Sequence, residues 1–307
     1  MDEVSIVLAT YNGAQYIKEQ LDSILQNTYT HWTLEVCDDG STDETLAIVT
    51  EYQKQYPEKI FLHQNQTQLG VTKNFLQGVL RSKGQYVMYC DQDDVWLPEK
   101  IETTLKHLKQ REQLHGKEMP LATFTDTCLV DEQLKQLHPS FFQYNALDTG
   151  KLDLAHLLME NKVIGCTTMF NQALAEKIKM LPEHARYHDW WIGLLAASMG
   201  ELTFHNQSTM LYRQHGENVV GAQSFAQYVI KRMKNRRLQK DTLLQNQIQA
   251  EEFLTIYEKE LTQEKKKILQ EFANLHKRNP VARRWSLIKY HFWKTGLIRN
   301  IGVFFSI

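Results

Sequence analysis

Cysteine is scarce: Cys37, Cys90, Cys128 and Cys166 are the only four in 307 residues, and none stands in a CxxC pair. That spacing argues against a zinc ribbon or a dithiol redox motif and makes each thiol a small apolar core residue, at home in a reducing cytoplasm. No basic-then-apolar segment opens the chain, and no apolar run approaches the roughly 18–20 residues that span a bilayer, so the cytosolic side of the membrane is the expected location. Proline numbers six, and beyond residue 222 only Pro280 interrupts long helix-favouring runs. Acid is missing altogether from residues 281–307. No internal repeat or low-complexity segment is evident.

What is present is ordinary globular composition, 42% hydrophobic and 23% charged, long enough for one large domain and an appendage. The net charge of −1 conceals a division at Gly221, with 18 basic and 29 acidic residues up to that point and 17 and 7 beyond it. An acidic body and a basic appendage follow. The appendage suits an anionic surface, phospholipid or nucleic acid, unless it is a solvated helical face.

Apolar runs at residues 4–9, 32–38, 60–64 and 86–90 alternate with amphipathic stretches at 16–26, 42–55 and 71–82. This βαβα rhythm predicts a mostly parallel sheet flanked by helices, the Rossmann-like form of α/β architecture. A further helix is expected over 99–113. Shorter pieces then follow at 121–125, 128–130, 165–170, 202–205 and 210–213, and suggest an antiparallel second half. Helices are expected at 242–258 and 261–273, within a C-terminal helical extension.

In sheets of this kind ligands bind beyond the carboxyl ends of the strands. Those positions hold Thr10-Tyr11-Asn12-Gly13, Asp38-Asp39-Gly40-Ser41 and Asp91-Gln92-Asp93-Asp94. Carboxylates as close as Asp91, Asp93 and Asp94 either raise a pKa or recruit a hard cation, Mg²⁺ or Mn²⁺, which can bridge to a diphosphate. The alternative is a solvated acidic loop before the next helix. In the second motif Ser41 or Thr42 can cap the helix beginning near Glu44, which leaves one Asp spare to accept the N3–H of uracil or thymine, or else to shape an Asp-Gly turn.

The opening Ala9-Thr10-Tyr11-Asn12, then Asp38-Asp39-Gly40-Ser41, then Asp91-Gln92-Asp93-Asp94, follow the order found in glycosyltransferase family 2, and the chain resembles that family over roughly residues 3–215. The resemblance implies a GT-A-type catalytic domain over residues 1–221, with a nucleotide-sugar half to about 125 and an acceptor half over 126–221, and a basic, aromatic-rich extension over 222–307. It implies a nucleotide-sugar donor held by Thr10, Tyr11, Asn12, Asp39 and Gln92, and a divalent metal, Mg²⁺ or Mn²⁺, on Asp91 and Asp93. Lys73, with Asn74, stands where relatives place an Arg-Asn pair near the donor, although it also reads as a first-turn helix lysine.

Inverting members of the family need a general base, and Asp189 is the candidate, in His188-Asp189-Trp190-Trp191, 96 positions after Asp93. Relatives usually carry Glu-Asp there, so His188 departs from the pattern. A helix N-terminus would favour the ionised carboxylate and limit its basicity. Trp190 and Trp191 offer faces to the acceptor sugar or anchor the core. In Tyr212-Arg213-Gln214-His215-Gly216-Glu217-Asn218, Arg213 is a candidate for the donor diphosphate and His215 for the metal shell.

These last two motifs resemble the rhamnosyltransferase branch, which implies a dTDP-L-rhamnose donor and a lipid-linked saccharide acceptor in bacterial cell-wall or capsular polysaccharide synthesis. Transfer of a hexose or N-acetylhexosamine from a UDP-sugar is the alternative within the family, and a catalytically idle scaffold subunit the alternative outside it. Lys231, Arg232, Lys234, Arg236, Arg237 and Lys240 cluster in ten residues. Residues 281–307 mix Trp285, Tyr290, Phe292, Trp293, Phe304 and Phe305 with Arg and Lys, a composition suited to an anionic membrane interface. Packing of the extension on the catalytic body or on a second subunit is the alternative; a nucleic-acid partner is not expected.

Overall fold

The computed structural model describes residues 2–216 and 236–307. Four strands, β1 (Val4–Thr10), β2 (Trp32–Asp38), β3 (Ile60–Gln64) and β4 (Tyr86–Cys90), lie parallel in the order β3-β2-β1-β4. β1 and β4 are buried almost throughout, which is why they read as continuous apolar runs rather than alternating ones. The crossovers are α1 (Ile17–Leu25), α2 (Thr45–Gln55) and α3 (Val71–Arg81). α1 buries Ile17, Leu21 and Ile24, and α3 buries Phe75, Leu76 and Val79, one stripe each. Gly78 lets α3 lie close on β1: a Cβ there would stand 2.3 Å from Val7 Cγ1.

The second half of the sheet is mixed. β5 (Val95–Trp96) precedes α4 (Lys100–His115), after which come β6 (Leu121–Val130), β7 (Gln136–His138), β8 (Thr168–Asn171) and β9 (Glu201–Arg213). The path continues from β4 through β8, β6 and β9 to β5, with β7 paired to β6. β8 is antiparallel to both β4 and β6, yet β6 and β9 run parallel, against the expectation of an antiparallel half. The short pieces anticipated at 121–125 and 128–130 are one strand, and so are those at 202–205 and 210–213. The polar break between the first two is a pair of register shifts around Asp126 rather than a turn. Asp126 Oδ1 accepts from Thr127 N at 2.8 Å and Phe141 N at 3.0 Å, and Thr127 Oγ1 donates to Met210 O at 2.9 Å. Polar groups satisfied in this way let a bulged strand continue.

Three short helices, α5 (Phe141–Tyr144), α6 (Leu154–Met159) and α7 (Gln172–Ala175), and the long buried α8 (His188–Met199) complete the body. The extension forms α9 (Arg236–Tyr257), α10 (Gln263–Ala273), α11 (Pro280–Lys289) and α12 (Leu297–Ser306). It packs on the body. Trp191 of α8 meets Phe253 and Tyr257 of α9 with ring centroids 5.1 and 6.1 Å apart. Asn246 Nδ2 donates to Leu158 O at 3.1 Å, and the Glu252 carboxylate accepts from Glu183 N at 2.8 Å and His184 N at 2.7 Å. Lys231, Arg232 and Lys234 of the basic cluster, and Glu217 and Asn218, lie outside the described residues. Among the described residues no helix is long and apolar enough to cross a membrane.

Candidate active site

The polar ends of β1, β2 and β4 open on one cleft of about 750 Å³. Thr10, Tyr11, Asn12, Asp39, Asp91, Gln92 and Asp93 all line it, as does His215 at the end of the segment after β9. Gln92 ties two strand ends together: its Oε1 accepts from Tyr11 N at 2.9 Å and its Nε2 donates to Tyr11 O at 3.1 Å. Gly13 makes room for that clamp, since a Cβ there would fall 2.3 Å from Gln92 Oε1. Asn12 adopts φ 48°, a left-handed conformation that Asn tolerates, and its Oδ1 accepts from Thr42 N at 2.8 Å.

The two aspartates after β2 divide their work. Asp38 accepts from Thr10 Oγ1 at 2.9 Å, Gly40 N at 3.0 Å and Ser41 N at 2.9 Å, and so builds the turn. Asp39 is buried against the next crossover, accepting from Leu69 N at 2.7 Å, Gly70 N at 2.8 Å and Asn65 Nδ2 at 2.9 Å. Neither Ser41 nor Thr42 caps the helix: its N-cap residue is Glu44, without a side-chain cap bond, and Asp43 Oδ1 just before it accepts from Thr45 N at 3.0 Å. Ser41 Oγ is engaged elsewhere, accepting from Asn12 N at 2.9 Å.

At the end of β4, burial and the neighbouring Asp93 charge push the Asp91 carboxyl up to about 7. Asp93 Oδ2 lies 2.7 Å from His215 Nε2. Asp94 is wholly buried and turned away from the cleft, with Oδ1 accepting from Arg213 N at 3.1 Å. Burial, then the charges of Asp93 and Asp91, raise its pKa strongly. Asp91, Asp94 and Cys166 can bring one ligand atom each within 4.8 Å of one another. Asp94 and Cys166 do not line the cleft, however, so the carboxylates a diphosphate-bound ion could meet are Asp91 and Asp93.

Asp189 stands in the first turn of α8 and lines the same cleft. Asn161 Nδ2 at 3.0 Å and Trp190 N at 2.6 Å donate to its Oδ1, and Gly165 N at 3.1 Å to its Oδ2. Burial nevertheless pushes its pKa up to about 7. The direction is opposite to the one expected from the helix N-terminus. His188 is buried beside it, stacked on Phe75 at 3.8 Å and edge-on to Tyr89 at 4.7 Å. Neither ring nitrogen has a hydrogen-bond partner among the described residues, and burial drives the imidazole pKa down to about 3.

Four candidates are placed elsewhere. Arg213 is buried with its guanidinium committed: Nε donates to Asp93 O at 2.9 Å, the terminal nitrogens to Glu132 O and Glu19 Oε2, and the group lies 4.7 Å from the Tyr16 ring centroid. It buttresses the Asp93 loop from behind and does not line the cleft. Lys73 also lies off the cleft, paired with Glu183 at 2.6 Å; its neighbour Asn74 is the one that lines it. Trp190 and Trp191 are both core anchors, because α8 is buried on nearly every side. Trp190 Nε1 donates to Leu157 O at 2.6 Å, and Trp191 packs against α9. Residues 160–165 were not anticipated as part of the site. They line the cleft beside Asp189, and Asn161 orients it. The signal was available in the polar Glu160-Asn161-Lys162 that ends the apolar α6.

A parallel sheet whose strand ends carry acid motifs, continued by a mixed half that supplies a further carboxylate, defines the GT-A class of fold. Two solved structures share it: Staphylococcus aureus TarS 1–349, with a TM-score of 0.59 at 16% identity over 94% of this chain and 72% of that one, and the Pyrobaculum calidifontis mannosyltransferase PcManGT in complex with GDP-Man and Mn²⁺, at 0.55 and 17% over 98% and 77%. Residues 5–115 match the model of Glycosyl transferase family 2, and that match, together with the relatives and the shared fold, supports a family 2 glycosyltransferase. It is 29% identical over 218 residues to an uncharacterized glycosyltransferase of Rickettsia prowazekii, 69% of this chain and 64% of the relative. It is 28% identical over 228 residues to the dTDP-rhamnosyl transferase RfbG of Shigella flexneri, 70% and 74% of the two chains. The chain thus spans less than two thirds of the length of the Rickettsia prowazekii relative, and 59% of the one from Rickettsia typhi.

Proposed function

We propose that this chain is an inverting glycosyltransferase that moves L-rhamnose from dTDP-L-rhamnose to a hydroxyl of a lipid-linked saccharide on the cytoplasmic face of a bacterial membrane, in cell-wall or capsular polysaccharide synthesis. The observation that carries the reading is the sharing of one cleft by Asp39, Asp91, Asp93 and Asp189. The likeness to RfbG supports the choice of donor.

Asp39 uses three of its roughly four lone-pair sites on Leu69, Gly70 and Asn65, which leaves one to accept the imide N–H of a thymine or uracil. Tyr11, half exposed at the mouth of the cleft, offers its ring to the base. The donor set at the end of β4 fits a dication: Asp91 and Asp93 are hard oxygen ligands, and a positive ion offsets both the burial and the Asp93 repulsion that raise the Asp91 pKa. Asp91 and Asp93 would hold Mg²⁺ or Mn²⁺, with His215 completing the set. The ion supplies charge neutralisation for the departing diphosphate.

Asp189, with a pKa near neutrality, accepts the proton of the acceptor hydroxyl. The acceptor oxygen forms a bond to the anomeric carbon from the face opposite the leaving group, the bond from that carbon to the phosphate oxygen breaks, and the nucleoside diphosphate leaves. Asn161 and Gly165 hold the carboxylate in place through this exchange. A panel of nucleotide-sugars assayed for hydrolysis and transfer, with EDTA, Mg²⁺ or Mn²⁺, tests the reading. Turnover of dTDP-rhamnose that EDTA abolishes and metal restores is the expected result. Turnover of a UDP-sugar with dTDP-rhamnose inert would overturn the choice of donor.

A further inference from the structure

α11 and α12 are each half seated. On α11 the inward face buries Ser286 and Leu287, while Val281, Trp285 and Ile288, at positions i, i+4 and i+7, form an exposed apolar stripe. On α12 the inward face buries Arg299 and Val303, while Leu297, Ile298, Ile301 and Phe305 fall within about 100° of arc on the outward side. The exposure is large for residues of this kind: 79% for Val281, 64% for Trp285, 75% for Leu297 and 71% for Phe305. The two helices are neighbours, with the Arg284 guanidinium 5.4 Å from the Phe304 ring centroid.

Charge identifies what covers these stripes. Residues 272–307 contain seven Lys and Arg and no Asp or Glu, and of the seven Lys277, Arg278 and Arg299 are ion-paired with Glu251, Glu271 and Glu160 from earlier in the chain. A second copy of the chain meeting the same face would set Arg283, Arg284 and Lys289 of one α11 against those of the other, on helices that carry no acid of their own. Nucleic acid would match the charge, and Trp285 and Phe305 offer rings to a base, but the other five stripe residues, Val281, Ile288, Leu297, Ile298 and Ile301, are aliphatic and offer none. An anionic lipid surface satisfies both features: headgroups meet Lys and Arg, and the outer acyl region takes the aliphatic stripes and Trp285. α12 has ten residues, about 15 Å of helix, so it lies in such a surface without crossing it.

We propose that the outer faces of α11 and α12 seat on an anionic lipid bilayer and thereby hold the acceptor end of the catalytic cleft at the membrane. The link is Arg299. It belongs to the inward face of α12, donates to Ala146 O and Asn145 O at 2.7 Å each, and lines the same cleft as Asp189. The cleft therefore ends about one helix diameter, some 10 Å, from the lipid-facing stripe. The seat deepens the assignment of a lipid-linked acceptor and rests on it for its purpose, though not for its physics.

The test uses the full chain and vesicles of phosphatidylcholine with or without phosphatidylglycerol. Co-sedimentation at least tenfold stronger with the anionic vesicles is expected, weakening as salt rises. The double variant Trp285→Ser, Phe305→Ser should lose that binding about tenfold, yet keep its thermal midpoint and its dTDP-rhamnose hydrolysis. A dye on Leu297→Cys should shift to the blue on vesicle binding, whereas a dye on the exposed Leu114→Cys of α4 should not; the four native cysteines are buried or half-buried. The proposal is overturned if anionic vesicles do not bind the wild type, if the double variant binds undiminished, or if Leu114→Cys reports the contact instead. It is equally overturned if the double variant turns a lipid-free dimer into a monomer, or loses RNA binding without ever having bound vesicles. Failure of sugar hydrolysis with vesicle binding intact would remove the enzymatic assignment and leave the seat standing.

Discussion

Asp189→Asn should make the protein more stable and inactive at the same time, and by amounts that depend on pH. An aspartate in an unfolded chain titrates near about 3.9, and burial in the fold pushes Asp189 up to about 7. A group whose folded pKa is raised retains protons in the native state that the unfolded chain has released, so stability falls as pH climbs from about 4 to about 7. The shift of roughly three units corresponds to a ceiling of about 4 kcal/mol above pH 7. The side chain is half-buried and reached by water from the cleft, which brings the expected penalty nearer about 2 kcal/mol. Asparagine removes the charge and keeps an oxygen for Asn161 and Trp190, but turns an amide toward Gly165 N, at a cost of about 1 kcal/mol. The variant should therefore be close to neutral in stability near pH 5 and gain about 1–2 kcal/mol over wild type at pH 8. Urea unfolding of both proteins at the two pH values measures this. Transfer should fall by about 10³-fold or more, and wild-type kcat/KM should decline as pH drops through 7 and the base is protonated. A variant that transfers at the wild-type rate would remove Asp189 from the chemistry. One whose stability relative to wild type does not change between pH 5 and 8 would remove the buried-charge argument.

Arg213→Ala should act on folding rather than on donor binding, lowering stability by about 3 kcal/mol in thermal melts because Asp93 O, Glu132 O and Glu19 lose a buried partner. A hundredfold rise in donor KM with an unchanged melting point would return it to the diphosphate. Trp191→Ala should cost about 3–5 kcal/mol and make the α9 junction sensitive to protease, since the ring joins α8 to Phe253 and Tyr257. His188→Phe removes two buried ring nitrogens that have no partner among the described residues, and should raise stability by about 1 kcal/mol in the same unfolding assay. If transfer falls at least tenfold in that variant, the imidazole hydrogen-bonds a substrate; unchanged kinetics would make it a packing residue.

The parallel half of the fold was legible to the residue in places because a strand buried on both faces leaves a continuous apolar run, as in Tyr86–Cys90. The mixed half was not, and Asp126 shows why. A buried aspartate that satisfies itself on Phe141 N, with a threonine beside it reaching Met210 O, looks in sequence like a turn between two strands. Nothing local distinguishes a polar residue that ends a strand from one that bulges it, because the partners lie many positions away. The acids of the cleft were legible for the opposite reason: strand ends fix where Asp39, Asp91 and Asp93 go whatever the rest of the chain does. Arg213 and Lys73 were misread because a cation beside an acid motif reads as a phosphate ligand. The partners that claim them, Glu19 and Glu183, stand 194 and 110 positions away.

The misreading of Asp189's acidity is one of magnitude. A place in the first turn of a helix favours the ionised form by about 0.3–1 kcal/mol, less than one pKa unit. That contribution is visible in sequence because it needs only the helix start. Burial in the cleft opposes it and moves the group about three units the other way, through walls contributed by segments as distant as Asn12 and Asn161. The three hydrogen bonds that Asp189 accepts each favour ionisation, and desolvation still outweighs them. A carboxylate of neutral pKa held by three hydrogen bonds is fixed in position and, with a lone pair left for the acceptor hydroxyl, still basic enough to take its proton. Helix position alone would have provided the first property without the second.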